Sequence, residues 1–246
     1  MNLEYYKNFV AIVDCGTISA AAGKLLIAQS ALSTQLKILE KEYGTQLLVR
    51  NARSVVPTDA GKILYEKSQY LMAIEDACQK EIYDCVKGKK AIIFSNSREE
   101  TEYVTATMRQ IADNRGDPDN FLIHHGNLSA SIREEAESKM RDDEQKCVVA
   151  ATVTMELGID IGRLERIVQN DAPNSVSSFL QRLGRSGRRG EPPEMMMVFR
   201  EENPLPNTPL PQLIPWGFLR AIAIVQLYIE EKFIEPPFVK KMPFSL

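Results

Sequence analysis

Residues Gln29 to Gly44 read QSALSTQLKILEKEYG, and this stretch decides the N-terminal fold. Leu32, Leu36, Leu39 and Tyr43 recur at helical spacing on one side, while Ser30, Ser33, Thr34, Lys37 and Lys41 occupy the other. Such a helix packs its apolar flank inward and turns the polar flank outward. Gly44 marks its end, because glycine accepts the left-handed backbone that closes a helix. Going backwards, a turn at Leu26-Ile27 leads to a short helix over residues 20–25, with Ser19 as its expected cap. Tyr6, Phe9, Val10 and Val13 predict a first helix, capped by Asn2 and stopped at Gly16. Going forwards, residues 46–50 and Val55-Val56-Pro57 flank the polar tip Asn51-Ala52-Arg53-Ser54, which is the pattern of a β-hairpin. Thr58 then caps a helical pattern reaching about Val86, roughly 40 Å long at 1.5 Å per residue. Ala60, Leu64, Leu71, Ile74, Cys78, Ile82 and Cys85 line one side of it. Nothing adjacent in the N-terminal segment can cover so long a stripe, so a second copy of the chain is its expected partner.

Two short helices joined by a tight turn, the second followed by a basic hairpin, fit a winged helix-turn-helix. A helix entering the major groove needs short donors and acceptors near its N-terminus, where backbone N–H groups also favour phosphate. Gln29, Ser30, Ser33 and Thr34 supply that chemistry. Lys37 and Lys41 are placed to neutralise phosphates, and Arg53 at the hairpin tip to enter the minor groove. On an isolated helix the same face would simply be solvated, but the paired helix and the wing favour double-stranded DNA.

These residues carry a resemblance. Residues 1 to about 80 resemble the DNA-binding domain and linker helix of LysR-type transcriptional regulators. The matching stretches are Phe9-Val10-Ala11, Gly16-Thr17-Ile18-Ser19-Ala20-Ala21-Ala22, Gln29-Ser30-Ala31-Leu32-Ser33, Leu39-Glu40, Gly44, Leu47 and Thr58-Asp59-Ala60-Gly61. The family usually carries Pro where Ser30 stands and Arg where Thr34 stands, so one common base or phosphate contact is missing here.

The composition is that of an ordinary globular protein: 246 residues, 44% hydrophobic and 26% charged. The four cysteines form no C-x-x-C pair and the two histidines are adjacent, so neither a zinc site nor a disulfide scaffold is expected. No apolar run approaches the roughly 20 residues of a membrane span, and the N-terminus lacks the pattern of a signal peptide, so cytoplasmic residence without membrane contact is the default. A net charge of −3 is unusual for a nucleic-acid binder until it is mapped. Residues 1–57 hold six Lys/Arg against four Asp/Glu, and residues 181–190 hold four Arg and no acid. Local patches set the field that a phosphate feels.

From Lys89 onward the pattern changes to alternating strands and helices. Short apolar runs at residues 91–94, 121–124, 147–151, 166–169 and 195–199 read as strands. Helical patterns fill residues 99–112, 129–141 (with Ile132, Ala136 and Met140 inward) and 175–183. This alternation predicts a parallel α/β sheet. Pro204, Pro206, Pro209 and Pro211 mark an extended linker before a last amphipathic helix over residues 216–230.

Three signatures follow in order: Lys90 to Arg98, ending in Ser95-Asn96-Ser97-Arg98; His125-Gly126-Asn127-Leu128-Ser129 with Arg133 and then Ala151 to Asp160; and Gln181 to Gly190. In the third, Arg182, Arg185 and Arg188 recur every three residues among glycines, and guanidinium groups match phosphate oxygens. Loop ends after strands, such as Ser95-Asn96 and Thr152, are where an α/β sheet places ligands. His125 reads as a packing residue, and Glu134, Glu135 and Glu137 as a solvated helix face.

About residues 80–200 resemble the second RecA-like lobe of superfamily 2 helicases, most closely the Lhr-like branch, and residues 216–237 the start of that branch's following domain. The resemblance implies that Ser95, Asn96, Arg98 and Thr152 contact a nucleic-acid strand. It implies too that Gly158, Asp160, Gln181, Arg185 and Arg188 face a nucleotide, with Arg188 as the catalytic arginine finger. The expected layout is α+β overall. Residues 1–58 form the winged helix-turn-helix, 59–88 the linker and dimerisation helix, 89–203 the α/β RecA-like lobe, and 204–246 the proline-rich linker and following helix.

An ATP-driven motor also needs a G-x-x-x-x-G-K-[ST] cradle and a carboxylate pair after an apolar strand. Every Gly-Lys pair (Gly23-Lys24, Gly61-Lys62, Gly88-Lys89) is followed by Leu, Ile or Lys, and Asp143-Glu144 follows Arg141-Asp142. No cofactor is expected for the isolated chain, and ATP with magnesium only if another chain brings the first lobe. Three readings stand at this point: a dimeric, sequence-specific DNA-binding module carrying an incomplete helicase lobe, a subunit of an ATP-dependent helicase completed by another chain, and a non-functional or engineered fusion.

Overall fold

The computed structural model of the protein describes residues 3–51, 54–155, 161–162, 164–187, 192–200 and 208–233. The chain divides into two units, Met1–Gln79 and Lys80–Leu246, with the division inside one long helix.

In the first unit, α1 (Leu3–Cys15) ends at Gly16, whose φ of 69° lets its N–H reach back to the last carbonyls. The next helix, α2 (Ile18–Leu25), starts two residues before the expected position. Its cap is Thr17 and not Ser19: Thr17 is extended and its hydroxyl accepts from the Ala20 N–H at 3.1 Å. Ser19, inside the first turn, is exposed. The expected cap of α1, Asn2, lies outside the described residues. Helix α3 (Gln29–Tyr43) closes at Gly44 as the sequence predicts. The hairpin pairs β1 (Leu48–Arg50) with β2 (Val55–Pro57), Arg50 opposite Val55. Tyr6, Phe9, Ile12, Ala21, Leu32, Leu36, Leu39, Leu47 and Leu64 make one core. Asn8, buried inside it, donates to Gln35 Oε1 at 2.7 Å and links α1 to α3.

The long helix α4 (Asp59–Val86) is capped by Thr58, which accepts from the Gly61 N–H at 3.0 Å. A Cβ on Gly61 would sit 2.0 Å from the Leu47 carbonyl oxygen, so only glycine lets the helix start this close to the hairpin. The apolar stripe read from sequence is not the buried face along its whole length. Leu64 and Ile82 are buried, but Ile74 is 47% exposed, while Ser68, Glu75 and Gln79 are buried. Ile63, Tyr70 and Ile74, spaced by seven and four, form an exposed apolar line instead.

The second unit is a five-stranded parallel sheet in the order β4 (Phe121–His124), β5 (Val148–Ala151), β3 (Ala91–Phe94), β6 (Arg166–Asn170), β7 (Met195–Val198). Its crossover helices are α5 (Arg98–Arg115), α6 (Ala130–Arg141) and α7 (Val176–Leu183), and α8 (Trp216–Ile229) follows the sheet. Strand β3 takes the centre and is buried at every residue, as a strand covered on both faces must be. Ile92, Phe94, Val149, Ala151 and Ile167 meet Ala136 and Met140 of α6 there. Ile132, expected inward, is 42% exposed, because α6 turns only Ala136 and Met140 to the sheet. The last turns of α4 are held in this unit. The Tyr83 ring lies 5.5 Å from Phe121, and its hydroxyl donates to Asp117 at 2.8 Å. Lys87 bonds the same Asp117 oxygen at 2.6 Å, and Arg115 pairs with Asp84.

Pro204 and Pro206 of the expected linker lie outside the described residues. Among the described residues no helix is long and apolar enough to cross a membrane.

Candidate nucleic-acid and nucleotide surfaces

Burying Leu32, Leu36 and Leu39 determines what α3 shows on its other side. Gln29, Ser30, Thr34, Lys37 and Lys41 are exposed and Ser33 half-buried. The Thr34 hydroxyl donates to the Ser30 carbonyl at 2.9 Å, which leaves its oxygen as an acceptor toward a partner. Arg53 lies outside the described residues. The strand that follows it, β2, stands close to the end of α1, since the Val55 N–H donates to the Gly16 carbonyl at 2.8 Å.

In the α/β unit the parallel register brings four strand ends into line. Phe94 pairs with Ala151 and Gln169, and His124 with Ala151, so Ser95, Thr152 and Asn170 stand side by side at the carboxyl edge. Ser95 is buried: its N–H donates to Ala151, and its hydroxyl accepts from Asn170 at 3.4 Å. Asn96 is exposed but commits an amide hydrogen to the Ala172 carbonyl at 3.3 Å. Arg98, in the first turn of α5, is exposed beside Glu99 at 2.7 Å. Thr152 is half-buried, 3.4 Å from the Thr154 hydroxyl. Burial pushes the neighbouring Glu100 carboxyl above its usual range, although Arg200 lies 3.0 Å away.

The arginine run divides. Arg182 is fully buried, donates to Gln169 Oε1 and lies 4.7 Å over the Phe94 ring. It is a core residue and is not available to phosphate, contrary to its reading with Arg185 and Arg188. Gln181 and Arg185 are half-buried, and the Arg185 carbonyl accepts from the Leu164 N–H at 3.0 Å, just before β6. The backbone at Arg185 therefore lies at the amino edge of the sheet, opposite the Ser95 and Thr152 edge. Thr152 and the Arg185 backbone therefore stand at opposite edges of the sheet. Gly158, Asp160 and Arg188 lie outside the described residues. Among the described residues no group of three or more His, Cys, Asp or Glu gathers as a metal site.

Glu137 corrects the reading of α6 as a merely solvated face. Its carboxylate lies 3.1 Å from Nε2 of the buried His124, whose Nδ1 is 2.8 Å from the Thr154 hydroxyl. Nothing in the sequence signals this contact, which depends on α6 packing back over β4.

Fold and surfaces together define a class: a winged helix-turn-helix head continued by a long helix into one RecA-like lobe. Comparison with known proteins agrees. Residues 3–62 match the model of the bacterial regulatory helix-turn-helix protein, lysR family, and residues 73–190 that of the helicase conserved C-terminal domain. The ATP-dependent helicase Lhr-Core of Sulfolobus acidocaldarius is 33% identical over 192 residues, 75% of this chain and 21% of that protein. The nitrogen assimilation regulatory protein nac of Escherichia coli is 36% identical over 138 residues, 54% of this chain and 44% of that protein. The structure of Mycobacterium smegmatis helicase Lhr bound to ssDNA and AMP-PNP superposes with a TM-score of 0.50 at 30% identity, covering 61% of this chain and 18% of that one. This chain is a fusion of a LysR-type helix-turn-helix DNA-binding region with a helicase C-terminal domain, and its relatives include LysR regulators and Lhr-Core helicases. It spans about a fifth of that helicase's length and under half of that regulator's.

Proposed function

We propose that the N-terminal unit binds double-stranded DNA sequence-specifically as a homodimer in the cytoplasm. We propose further that the α/β unit is half of a motor, which grips a nucleic-acid strand but needs a first lobe from another chain to use ATP. The observation that carries the DNA reading is the exposed polar flank of α3, set against a flank that is fully buried. Gln29, Ser30 and Ser33 sit where a groove-reading helix presents short donors and acceptors, and Lys37 and Lys41 where phosphates are neutralised. Arg53 would extend the footprint into the minor groove. The exposed line Ile63, Tyr70 and Ile74 supports pairing of two α4 helices, because heptad-like apolar spacing is what a two-helix seam needs.

For the lobe, the carboxyl-edge residues Ser95, Asn96, Arg98 and Thr152 would hold a strand backbone. The solved helicase with single-stranded DNA bound supports this reading. The residues present fit one side of a nucleotide only: Gln181 and Arg185 would face the phosphates, with Gly158, Asp160 and the finger Arg188, while the cradle and magnesium-holding carboxylates are absent from the sequence. ATP with magnesium, when completed by a partner lobe, would supply the phosphoryl-transfer chemistry. This chain's part is to orient and to stabilise charge.

Mobility shift on random duplex pools tests the DNA reading. Selection should enrich one sequence. Lys37→Ala should weaken binding across all sequences and lower the salt slope by about one, whereas Ser33→Ala should relax the sequence preference. Wild-type binding no tighter than that of the Ser33→Ala/Lys37→Ala double variant refutes the reading.

A further inference from the structure

Trp216 is the chain's one tryptophan, and it opens α8 while remaining 60% exposed. Its indole N–H, the ring's single hydrogen-bonding group, donates to the Pro211 carbonyl at 2.7 Å. That bond fixes the ring in place and leaves it only its π surface to offer a partner. A hollow of about 270 Å³ lies beside it, lined by Arg200, Leu213, Ile214 and Trp216 itself, and both aliphatic side chains are exposed as well. A tryptophan whose N–H is satisfied, and whose ring is still left in water, forgoes the stabilisation that burying it would supply.

The hollow adjoins the carboxyl edge of the sheet. Ala172, two residues past the end of β6, accepts at its carbonyl from Asn96 Nδ2 at 3.3 Å and from Arg220 Nη2 at 3.4 Å. Asn96 stands two residues past the end of β3, and Arg220 follows Trp216 by one turn on the same side of α8. Arg200, two residues past the end of β7, pairs with Glu100 in the first turn of α5 at 3.0 Å. The Phe199 and Phe218 rings meet edge to face with 5.6 Å between their centres, which holds the start of α8 against the end of β7. Glu100 offsets part of the Arg200 charge, whereas Arg220 bonds a neutral carbonyl that leaves its charge uncompensated there. An exposed ring beside two guanidinium groups suits unpaired bases, because every base has a π face and carries a phosphate with it. The two cations are what favours a nucleic-acid strand over an apolar protein face as the occupant.

We propose that Trp216 is a stacking platform for an unpaired base of the strand held at the carboxyl edge, with Arg200 and Arg220 drawing the adjoining phosphates. This rests on the reading that the edge grips a strand, and it extends that grip from Ser95 and Asn96 onto α8. The added contact carries no sequence preference, since stacking on a ring accepts every base.

Because the chain has one tryptophan, its emission reports on this place and no other. The test is titration of the full chain with single-stranded oligothymidine, followed by tryptophan emission and, in parallel, by anisotropy of an end-labelled copy. Both signals should saturate together, with the emission quenched. An abasic sugar-phosphate oligomer of equal length should bind more weakly and leave the emission unchanged. Trp216→Ala should weaken oligothymidine binding on the order of tenfold and Trp216→Phe by less than about threefold, because a phenyl ring still stacks. Arg98→Ala, at the edge itself, should weaken binding and keep the quenching at saturation. Binding that leaves the emission unmoved overturns the proposal alone, as does equal quenching by the abasic oligomer. Emission that changes with the chain's own concentration and not with oligothymidine gives the patch to a second copy, and overturns it too. Absence of oligothymidine binding overturns the strand-gripping reading and the proposal with it.

Discussion

Arg182 and Arg185 stand three residues apart in one glycine-punctuated run, yet one is core and the other half-open to solvent. The chemistry of the run was legible: guanidinium groups among glycines suit phosphate. Which of them faces outward was not, because that depends on Gln169 of β6 and Phe94 of β3 meeting at one point across α7. Removing Arg182 leaves the Gln169 oxygen buried without that donor and opens a void above the Phe94 ring. Arg182→Ala should therefore destabilise the α/β unit by about 3 kcal/mol or more, read from urea unfolding followed by far-UV circular dichroism. A loss under about 0.5 kcal/mol, ordinary for a surface position, contradicts the buried role. Thr34 and Asn96 teach the same lesson more gently. Both lie where the sequence placed them, and both have already committed a hydrogen to a carbonyl.

Helix α4 shows what periodicity can and cannot tell. Its start at Thr58 and its end near Val86 followed from capping chemistry and from the apolar spacing. Its buried face did not, because a stripe of Leu, Ile and Cys says only that something apolar exists along the helix. In the fold, Ser68, Glu75 and Gln79 are buried while Ile74 is exposed. At its far end Tyr83 is buried and bonded to Asp117, and burial followed by that bond pushes its pKa up from the ordinary 10.0 to about 12. A group raised in the folded state contributes stability that is complete below its unfolded value and lost as pH rises through the folded one. The α/β unit should therefore lose stability between about pH 10 and 12, and Tyr83→Phe should flatten that decline, as measured by denaturant midpoints across the range. Parallel declines in both proteins would show that Tyr83 does not carry the effect. On the acid side, Lys87 first and Tyr83 second hold the Asp117 carboxyl below its ordinary 3.8, so this contribution is present above that value and fades as pH falls beneath it.

For the whole molecule, the exposed line Ile63, Tyr70 and Ile74 makes self-association a measurable claim. Sedimentation at micromolar concentration should show a dimer for the wild type and a monomer for Tyr70→Glu, since a carboxylate in an apolar seam must be desolvated without a partner. A wild-type monomer would remove the pairing from the proposed function and leave untouched the proposal that the polar flank of α3 reads DNA. What the residue order alone determined was local and periodic: the helix-turn-helix and its wing, the alternation that makes a parallel sheet, and the absence of a phosphate cradle. These are legible because caps, turns and hydrophobic periods act over a few neighbouring residues. Only the tertiary structure decided that Arg182 is core, which face of α4 is covered, that Thr152 and the Arg185 backbone stand at opposite edges of one sheet, and that His124 meets Glu137 and Thr154. Each of those depends on residues distant in the chain arriving at the same place, and packing, which no local pattern encodes, brings them there.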